Sequence, residues 1–324
     1  MPVQRPFIVD ATLTAVAIGY KNGSAMRIAD KVLPRLPVSN DRFKYTVYPI
    51  SEAFNTPDAR VSRKGAVKQL EFSGTEVTSD VMDYGLDSPI PQSDIDVATA
   101  ARAEGRTVFD PEARATEMLT ETLENIRELR VAQTVFSATS YAASRRVTLS
   151  GTSQLSDFTN SDPIGVLVAG MDATLVYRPN TVVLGREVWG RISSHPKIVN
   201  AVKGNVTNSG RITIEQFREL LAGDGITEVL IGDAWTNTAK QGQSATLARA
   251  WGKHIALLYL NPLASVEQGG ITFGFTAQYG DRLAGRIEDP DIGLQGGFRI
   301  RAGERVRELI SAQDVGYFIQ NAVA

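Results

Sequence analysis

The strongest hydrophobic pattern in the chain lies between residues 111 and 137, where apolar side chains recur at steps of three and four. Asp110 is a favourable N-cap residue, and Pro111 suits the first position of a helix. The pattern therefore predicts a helix of roughly 40 Å, at about 1.5 Å per residue, that acts as the spine of a domain. Its apolar face is predicted to hold Ala115, Leu119, Leu123, Ile126, Leu129, Ala132 and Phe136.

The charged residues of this helix predict its solvent-exposed side. They fall between the apolar positions, and a helix of this length exceeds the usual three turns. The predicted wet side comprises Glu117, Glu121, Glu124, Arg127, Glu128 and Arg130.

Two segments before the helix predict strands joined by a long exposed loop. Residues 44–50 and 67–81 are rich in β-branched and aromatic side chains, and residues 51–66 are polar. An isolated two-stranded hairpin is marginally stable in water, so we expect this one to pack on something else.

Residues 1–43 show no sustained period and contain four prolines, at positions 2, 6, 34 and 37. A stretch of this length without clear elements is unusual inside a compact domain. The sequence therefore predicts an extended arm that finds its partners on a neighbouring chain.

After residue 160, helical patterns alternate with short apolar strands, as in a compact α/β unit. Strands are predicted at 181–184, 228–232 and 254–260. Further strands are predicted at 271–279, 297–310 and 315–323.

Composition describes an ordinary globular protein, with 43% hydrophobic and 22% charged residues. The formal net charge of −2 gives no overall basic character that would point to nucleic acid. The absence of cysteine excludes disulfides, thiolate metal sites and cysteine nucleophiles, and is consistent with a reducing compartment. The N-terminal apolar patch is too short and polar for a membrane span or a signal peptide.

Charge is unevenly distributed along the first part of the chain. Residues 1–70 hold eleven Lys/Arg against five Asp/Glu, and residues 71–130 hold five against fourteen. A basic cluster in the hairpin loop could be attracted to the acidic helix of another copy, or could serve solubility and local salt bridges. The candidate interface residues are Arg60, Arg63, Lys64 and Lys68 in the hairpin, with Glu117 and Glu121 on the helix.

The chain contains no strong catalytic motif. Gly252–Lys253 is followed by His254, which does not complete a phosphate-binding loop, and no G-x-S-x-G elbow exists. His195 lacks a local partner and lies between two predicted helices, so we interpret it as structural. The acidic residues of 288–291 are interpreted as a polar turn. We predict no catalytic, cofactor-binding or metal-binding residue.

The segments YGLDSPIPQSDID (84–96) and DPEARATEMLTETLENIRELRVAQTVFS (110–137) resemble those of a tailed-phage major capsid protein. The order of arm, hairpin, long helix and α/β unit also matches the plan of that family. The resemblance implies an α+β protein with the Hong Kong 97-like capsid fold. The implied parts are an N-terminal arm (1–43), an extended hairpin or E-loop (44–85), a peripheral domain with the spine helix (86–155), an axial α/β domain (156–265) and return strands of the peripheral domain (266–324).

The function implied by this resemblance is a structural subunit of an icosahedral phage head, without enzymatic activity or cofactor. Copies would assemble into hexamers and pentamers in the host bacterial cytoplasm and enclose double-stranded DNA in the virion. DNA phosphates would be met without sequence specificity, with Arg27 and Lys31 as candidates. Because the arm begins almost at Met1, we expect a separate scaffolding protein, together with a portal protein and a decoration protein, and no membrane partner.

Two alternatives remain open from the sequence. An encapsulin-type shell shares the same fold and would enclose a cargo enzyme. A soluble α/β enzyme or binding protein built on residues 160–260 would need an assembled polar site around His195 or His254.

Overall fold

The computed structural model describes residues 8–9, 26–47, 56, 58–63, 65, 67, 69, 75–105, 110–204, 209–239, 242–244, 246–262 and 270–324. The helices are α1 (Ala29–Val32), α2 (Gln92–Ala103), α3 (Pro111–Val135), α4 (Pro163–Ala173), α5 (Arg186–Ile192), α6 (Pro196–Lys203) and α7 (Ile214–Ala222). The strands are β1 (Ile8–Val9), β2 (Arg35–Pro37), β3 (Arg42–Val47), β4 (Thr75–Asp80), β5 (Met82–Pro91), β6 (Arg146–Thr148), β7 (Thr181–Gly185), β8 (Glu228–Gly232), β9 (Trp235–Asn237), β10 (Leu247–Arg249), β11 (Ile255–Leu258), β12 (Gly274–Gln278), β13 (Leu283–Asp289), β14 (Gly297–Ile310) and β15 (Gly316–Gln320).

The long helix α3 begins where the sequence predicts and ends two residues before the predicted end. The carboxylate of Asp110 accepts the backbone N–H groups of Glu112 and Ala113, at 3.0 and 3.3 Å, and so satisfies two donors of the first turn. Leu119 and Leu123 pack against Ile300 of a large sheet. One face of α3 therefore forms a core with that sheet.

That sheet has six strands, with β14 as its longest member. β14 pairs antiparallel with β5, β12 and β13. β2 runs parallel to β12, and β1 pairs with β13. Since strand β5 bonds to β14 through ten residue pairs, the chain from Met82 to Pro91 belongs to this sheet rather than to the preceding hairpin.

The hairpin itself forms a separate two-stranded sheet, in which β3 pairs with β4 from Arg42↔Asp80 to Val47↔Thr75. At its base, Phe43 and Val81 pack with Phe275 of the six-stranded sheet. Half of the predicted loop at 51–66 lies outside the described residues, so its conformation stays a prediction.

A second large sheet has five strands in the order β6-β15-β11-β7-β8. Helices α4 to α7 pack on it through a core that includes Trp189, Ile192 and Phe217. Trp189 and Ile192, three residues apart on α5, are both buried, in agreement with the core packing that their spacing predicts.

The final strand departs from its predicted place. The sequence groups residues 266–324 as return strands on the spine helix, but β15 pairs with β11 and β6 in the five-stranded sheet. The reason is that its adjacent residues Phe318 and Ile319 point into two different hydrophobic cores. A strand buried on both faces is stable only inside a sheet that is covered on both sides.

The prediction of a featureless arm is also wrong for the part that the structure describes. Residues 26–38 fold back on their own chain, and Ile28, Val32 and Leu33 are buried against Val131 and Val135 of α3. This apolar cluster had no visible period because it occupies a single helical turn. Residues 10–25 lie outside the described part.

Two charged residues assigned to the wet side of α3 are instead buried, since Arg127 is 0% and Glu128 1% exposed. The Glu128 carboxylate accepts the N–H groups of Ile28 and Ala29, each at 2.9 Å, and the indole N–H of Trp251 at 2.5 Å. Conversely Ile126, predicted as core, is 37% exposed. In its second half α3 is covered by the folded arm, so the exposed side shifts toward Ile126.

A glycine opposite the ring of Trp251 leaves the space that this ring fills. A Cβ atom on Gly232, at the end of β8, would lie 2.1 Å from the indole. The side chain is fully buried, and its ring packs edge-on against Phe136 with centroids 5.1 Å apart. Because position 232 has no side chain, the ring of Trp251 fits against β8. Through this ring the five-stranded sheet contacts α3 and the arm.

We expect Glu128→Gln to lower the free energy of unfolding by about 1–3 kcal/mol, because an amide N–H₂ would face one of the three N–H groups that the carboxylate now accepts. Glu121→Gln, on the exposed side of the same helix, should cost less than about 1 kcal/mol. Urea unfolding followed by far-UV circular dichroism measures both. Equal costs for the two variants would contradict the role of Glu128.

Candidate assembly surfaces

His195 is a buried N-cap rather than a free base. Its Nδ1 accepts the backbone N–H of Lys197 at 3.2 Å, which leaves the ring proton on Nε2. Nε2 lies 3.0 Å from the hydroxyl of Ser161, and that hydroxyl donates to the carbonyl of Asp157 at 2.5 Å. Because the histidine donates to the serine, this pair has the wrong polarity to activate a nucleophile.

His254 also has a structural role. Its Nδ1 accepts the backbone N–H of Asn321 at 2.9 Å, and its ring contacts Phe136 and Phe318 with centroids 5.4 and 5.5 Å away. The contact ties the end of β15 to the start of β11. His254 therefore serves the packing of the five-stranded sheet, whereas His195 caps the start of α6.

The acidic residues 288–291 form a turn with its own internal partners. The Asp289 carboxylate accepts the N–H of Asp291 at 3.1 Å and pairs with the guanidinium of Arg299. Among the described residues, no group of three or more histidine, aspartate or glutamate side chains is arranged to hold a metal ion. Within the same part of the chain, no helix is both long and apolar enough to cross a membrane.

The structure describes only two of the four basic interface candidates in the hairpin. Arg60 and Arg63 are exposed, and the N–H of Arg60 donates to the Asp58 carboxylate at 3.0 Å. Lys64 and Lys68 lie outside the described residues. The basic cluster therefore stays a prediction, with two of its members exposed.

The acidic candidates lie on α3 and have partners within the chain. Glu117 is 3.6 Å from Arg114, one turn before it. Glu121 pairs with Arg27 at 3.2 Å. The side chains of Glu117 and Glu121 remain about two-fifths exposed, at 38% and 41%, so a second chain could still reach them.

The two DNA-phosphate candidates have different surroundings. Arg27 is turned toward α3, where its Nε donates to Asn125 at 3.0 Å, and its side chain is only 12% exposed. Lys31 is 63% exposed and pairs with Glu228 at 3.2 Å. The assignment of Arg27 to DNA is therefore corrected, because the helix already holds its guanidinium, whereas the role of Lys31 stays a prediction.

A buried charge network that sequence reasoning missed joins the arm, α3 and the six-stranded sheet. Arg127 pairs with Asp30 and donates to the carbonyl of Leu33 at 3.2 Å, and Arg35 pairs with Glu304 at 2.8 Å. Burial acts to raise the pKa of Glu304, but Arg35 and Arg282 hold this pKa below its usual value. The network thus keeps Glu304 charged inside the protein.

The pKa of Glu128 shifts the other way, because burial raises it more than its hydrogen bonds from Ile28, Trp251 and Ala29 lower it. No local pattern signals either group, because their partners lie far along the chain. The separation is 100 residues between Ile28 and Glu128 and 269 between Arg35 and Glu304.

Comparisons with known proteins place this geometry in a family. No family model matches the chain. A crystal structure of a phage-related protein from Bordetella bronchiseptica RB50 is similar with a TM-score of 0.71 and 21% identity, covering 98% of this chain and 99% of that one. The capsid structure of the cyanophage P-SCSP1u is similar with a TM-score of 0.57 and 10% identity, covering 91% and 88%. The fold is the Hong Kong 97-like capsid fold.

The sequence comparison defines the family more narrowly. The major capsid protein of Pseudomonas phage JBD67 is 43% identical over 319 residues, which cover 98% of each chain. The chain belongs to the family of phage major capsid proteins, and it is a structural subunit of a phage head. The resemblance found in the sequence is thus confirmed, and neither an encapsulin shell nor a soluble α/β enzyme is favoured.

We expect the stability of the subunit to fall as the pH drops below about 6.5. Burial lowers the pKa of His195, and the charge of Lys197 lowers it further. Together they outweigh the backbone hydrogen bond at Asp157 and the carboxylates of Asp162 and Asp157, which raise this pKa. The folded state then binds fewer protons than the unfolded state, so stability is fully present above the ordinary pKa and is lost as the pH falls through the lowered one.

His195→Asn tests this dependence, because asparagine can still cap α6 but does not titrate. The variant should show a smaller fall in melting temperature between pH 7 and pH 5 than the unchanged protein. Burial also lowers the pKa of His254, so this histidine would account for the rest of the pH dependence of stability. An unchanged slope in the His195→Asn variant would refute the assignment.

Proposed function

We propose that copies of this chain assemble into hexamers and pentamers that close an icosahedral head around double-stranded DNA. The observation that carries the proposal is the 43% identity, over 98% of both chains, with a phage major capsid protein. Rings of five and six are the way in which identical subunits close an icosahedral surface by symmetric contacts. Assembly would take place in the cytoplasm of the host bacterium.

The hairpin supports an intersubunit role. β3 and β4 are joined to the rest of the subunit mainly at their base, through Phe43 and Val81. A two-stranded ribbon gains stability by packing on another surface. We propose that its basic residues Arg60, Arg63, Lys64 and Lys68 meet the acidic side of α3 on a neighbouring copy, at Glu117 and Glu121.

Further partners follow from the same proposal. A separate scaffolding protein, a portal protein and a decoration protein would contact the shell. The packaged DNA would be met through its phosphates without sequence readout, with the exposed Lys31 as the remaining candidate. The chain would have no enzymatic role, which the donor–acceptor pattern of His195 supports because that ring is committed to the fold.

Negative-stain electron microscopy of the purified chain, alone and with a candidate scaffolding protein, tests the proposal. We expect rings or closed shells, because obligate interfaces of this kind bury about 2,000–5,000 Å². A compact monomer that persists in every condition would contradict assembly.

Deletion of residues 51–66 tests the hairpin separately. The variant should keep its far-UV circular dichroism spectrum and a melting temperature within a few degrees of the unchanged protein, since the described cores lie elsewhere. It should lose at least about nine-tenths of its shell yield, a tenfold effect that corresponds to about 1.4 kcal/mol. A neutral spacer of equal length at 51–66 is the matched control for loop length, and normal shells from the deletion would refute the role.

A further inference from the structure

Leu294 lies at the tip of the turn between β13 and β14 and is fully exposed. A single exposed leucine is ordinary on a protein surface, so exposure alone carries no argument. This turn, however, has a defined backbone geometry and an internal hydrogen bond. Gly293 and Gly296 adopt positive φ angles of 62° and 75°, and the Asp289 carboxylate accepts the N–H of Asp291.

The same turn is tied to the body of the subunit. The carbonyl of Gly296 accepts the N–H of Gln92 at 2.9 Å, and Asp289 pairs with Arg299. The turn therefore presents Leu294 as a fixed apolar knob. Exposed carboxylates of Glu288 and Asp291 flank it.

A complementary cavity lies at the base of the hairpin. It has a volume of about 430 Å³, and its lining includes Pro37, Val38, Phe43 and Thr78. Arg42 and Lys44 lie at its rim and are exposed. The lining thus combines apolar side chains with the polar Ser39 and Asn40 and two cations, whereas the turn around Leu294 carries carboxylates.

Two of these charges have no ion-pair partner among the residues that the structure describes. Lys44 pairs with Glu76 at 2.7 Å, but among the residues that the structure describes no carboxylate pairs with Arg42. In the same part of the chain no cationic side chain pairs with Asp291. A contact between turn and cavity would bring these two opposite charges together.

The turn cannot reach the cavity of its own subunit. The turn joins β14 at Gly297, whereas the cavity adjoins the far end of the sheet, where Val38 bonds to Gln278 and Gln278 pairs with Val306. Nine residues of extended strand separate Gly297 from Val306, about 30 Å at roughly 3.4 Å per residue. Any contact between knob and cavity therefore joins two copies.

We infer that Leu294 of one subunit inserts into the cavity at the hairpin base of a second copy, with Asp291 facing Arg42 across the contact. Knob and cavity are different surfaces at opposite ends of one strand, so a contact repeated in the same sense from copy to copy is head-to-tail. Repeated head-to-tail contacts generate closed rings when the rotation between copies closes. The inference rests on the proposed assembly into shells and names one contact within it.

The first test replaces the knob. Leu294→Arg should reduce the yield of shells about tenfold or more, because it places a cation against the apolar part of the lining and beside Arg42 and Lys44. Leu294→Met keeps an apolar side chain and should assemble like the unchanged protein. Both variants should unfold at the same temperature as the unchanged subunit, since Leu294 is exposed in the monomer.

The second test exchanges the charges. Asp291→Arg and Arg42→Glu should each reduce shell yield, and the double variant should recover most of it, as coupled residues do in a double-mutant cycle. Asp281→Arg combined with Arg42→Glu is the matched control, because Asp281 is an exposed carboxylate outside the turn, and it should show no recovery.

Electron microscopy and sedimentation distinguish the outcomes. Normal shell yield from Leu294→Arg, or failure of the double variant to recover, would overturn the inference and leave the proposed function standing. A chain that stays monomeric without any substitution would contradict the proposed function itself.

Discussion

The buried carboxylate of Glu128 is the interaction on which the rest of the subunit depends. It accepts N–H groups from the folded arm at Ile28 and Ala29 and from the indole of Trp251, so one side chain of α3 joins the arm to the five-stranded sheet. A buried charge is tolerated only when hydrogen bonds replace the water it has lost. Removing any donor would leave the carboxylate charge without a hydrogen bond. This cost favours a single arrangement of α3, the arm and the five-stranded sheet.

Arg127, the next residue on α3, extends this constraint to the six-stranded sheet. Its guanidinium pairs with Asp30 of the arm and donates to the hydroxyl of Thr276 on β12 at 3.1 Å. Adjacent residues of a helix point in directions about 100° apart, so Arg127 and Glu128 bind different neighbours. The long helix thus organises both sheets around it. The arm segment at 26–38 is part of the folded subunit, while the hairpin extends from one edge.

This division of the molecule suits a shell subunit. The two sheets and α3 form a body whose charges are largely paired inside, and the features available to a second copy lie at its margins. The hairpin, the turn that carries Leu294 and the cavity at the hairpin base are all of this kind. Rigid placement of such features lowers the conformational entropy that association would cost. Assembly would then depend on the edges, while the body supplies their relative positions.

The sequence by itself determined several of the regular elements, α3 above all, and the resemblance to the family. Periodicity located α3, the alternating α/β unit and the strands because it records which face of each element is apolar, and the order of elements carried the resemblance to capsid proteins. Only the tertiary structure decided that Glu128 and Arg127 are buried, that Arg27 faces α3, and that β15 joins the five-stranded sheet. Each of these depends on a partner distant along the chain, such as Trp251, which lies 123 residues after Glu128, and local periodicity contains no information about such partners.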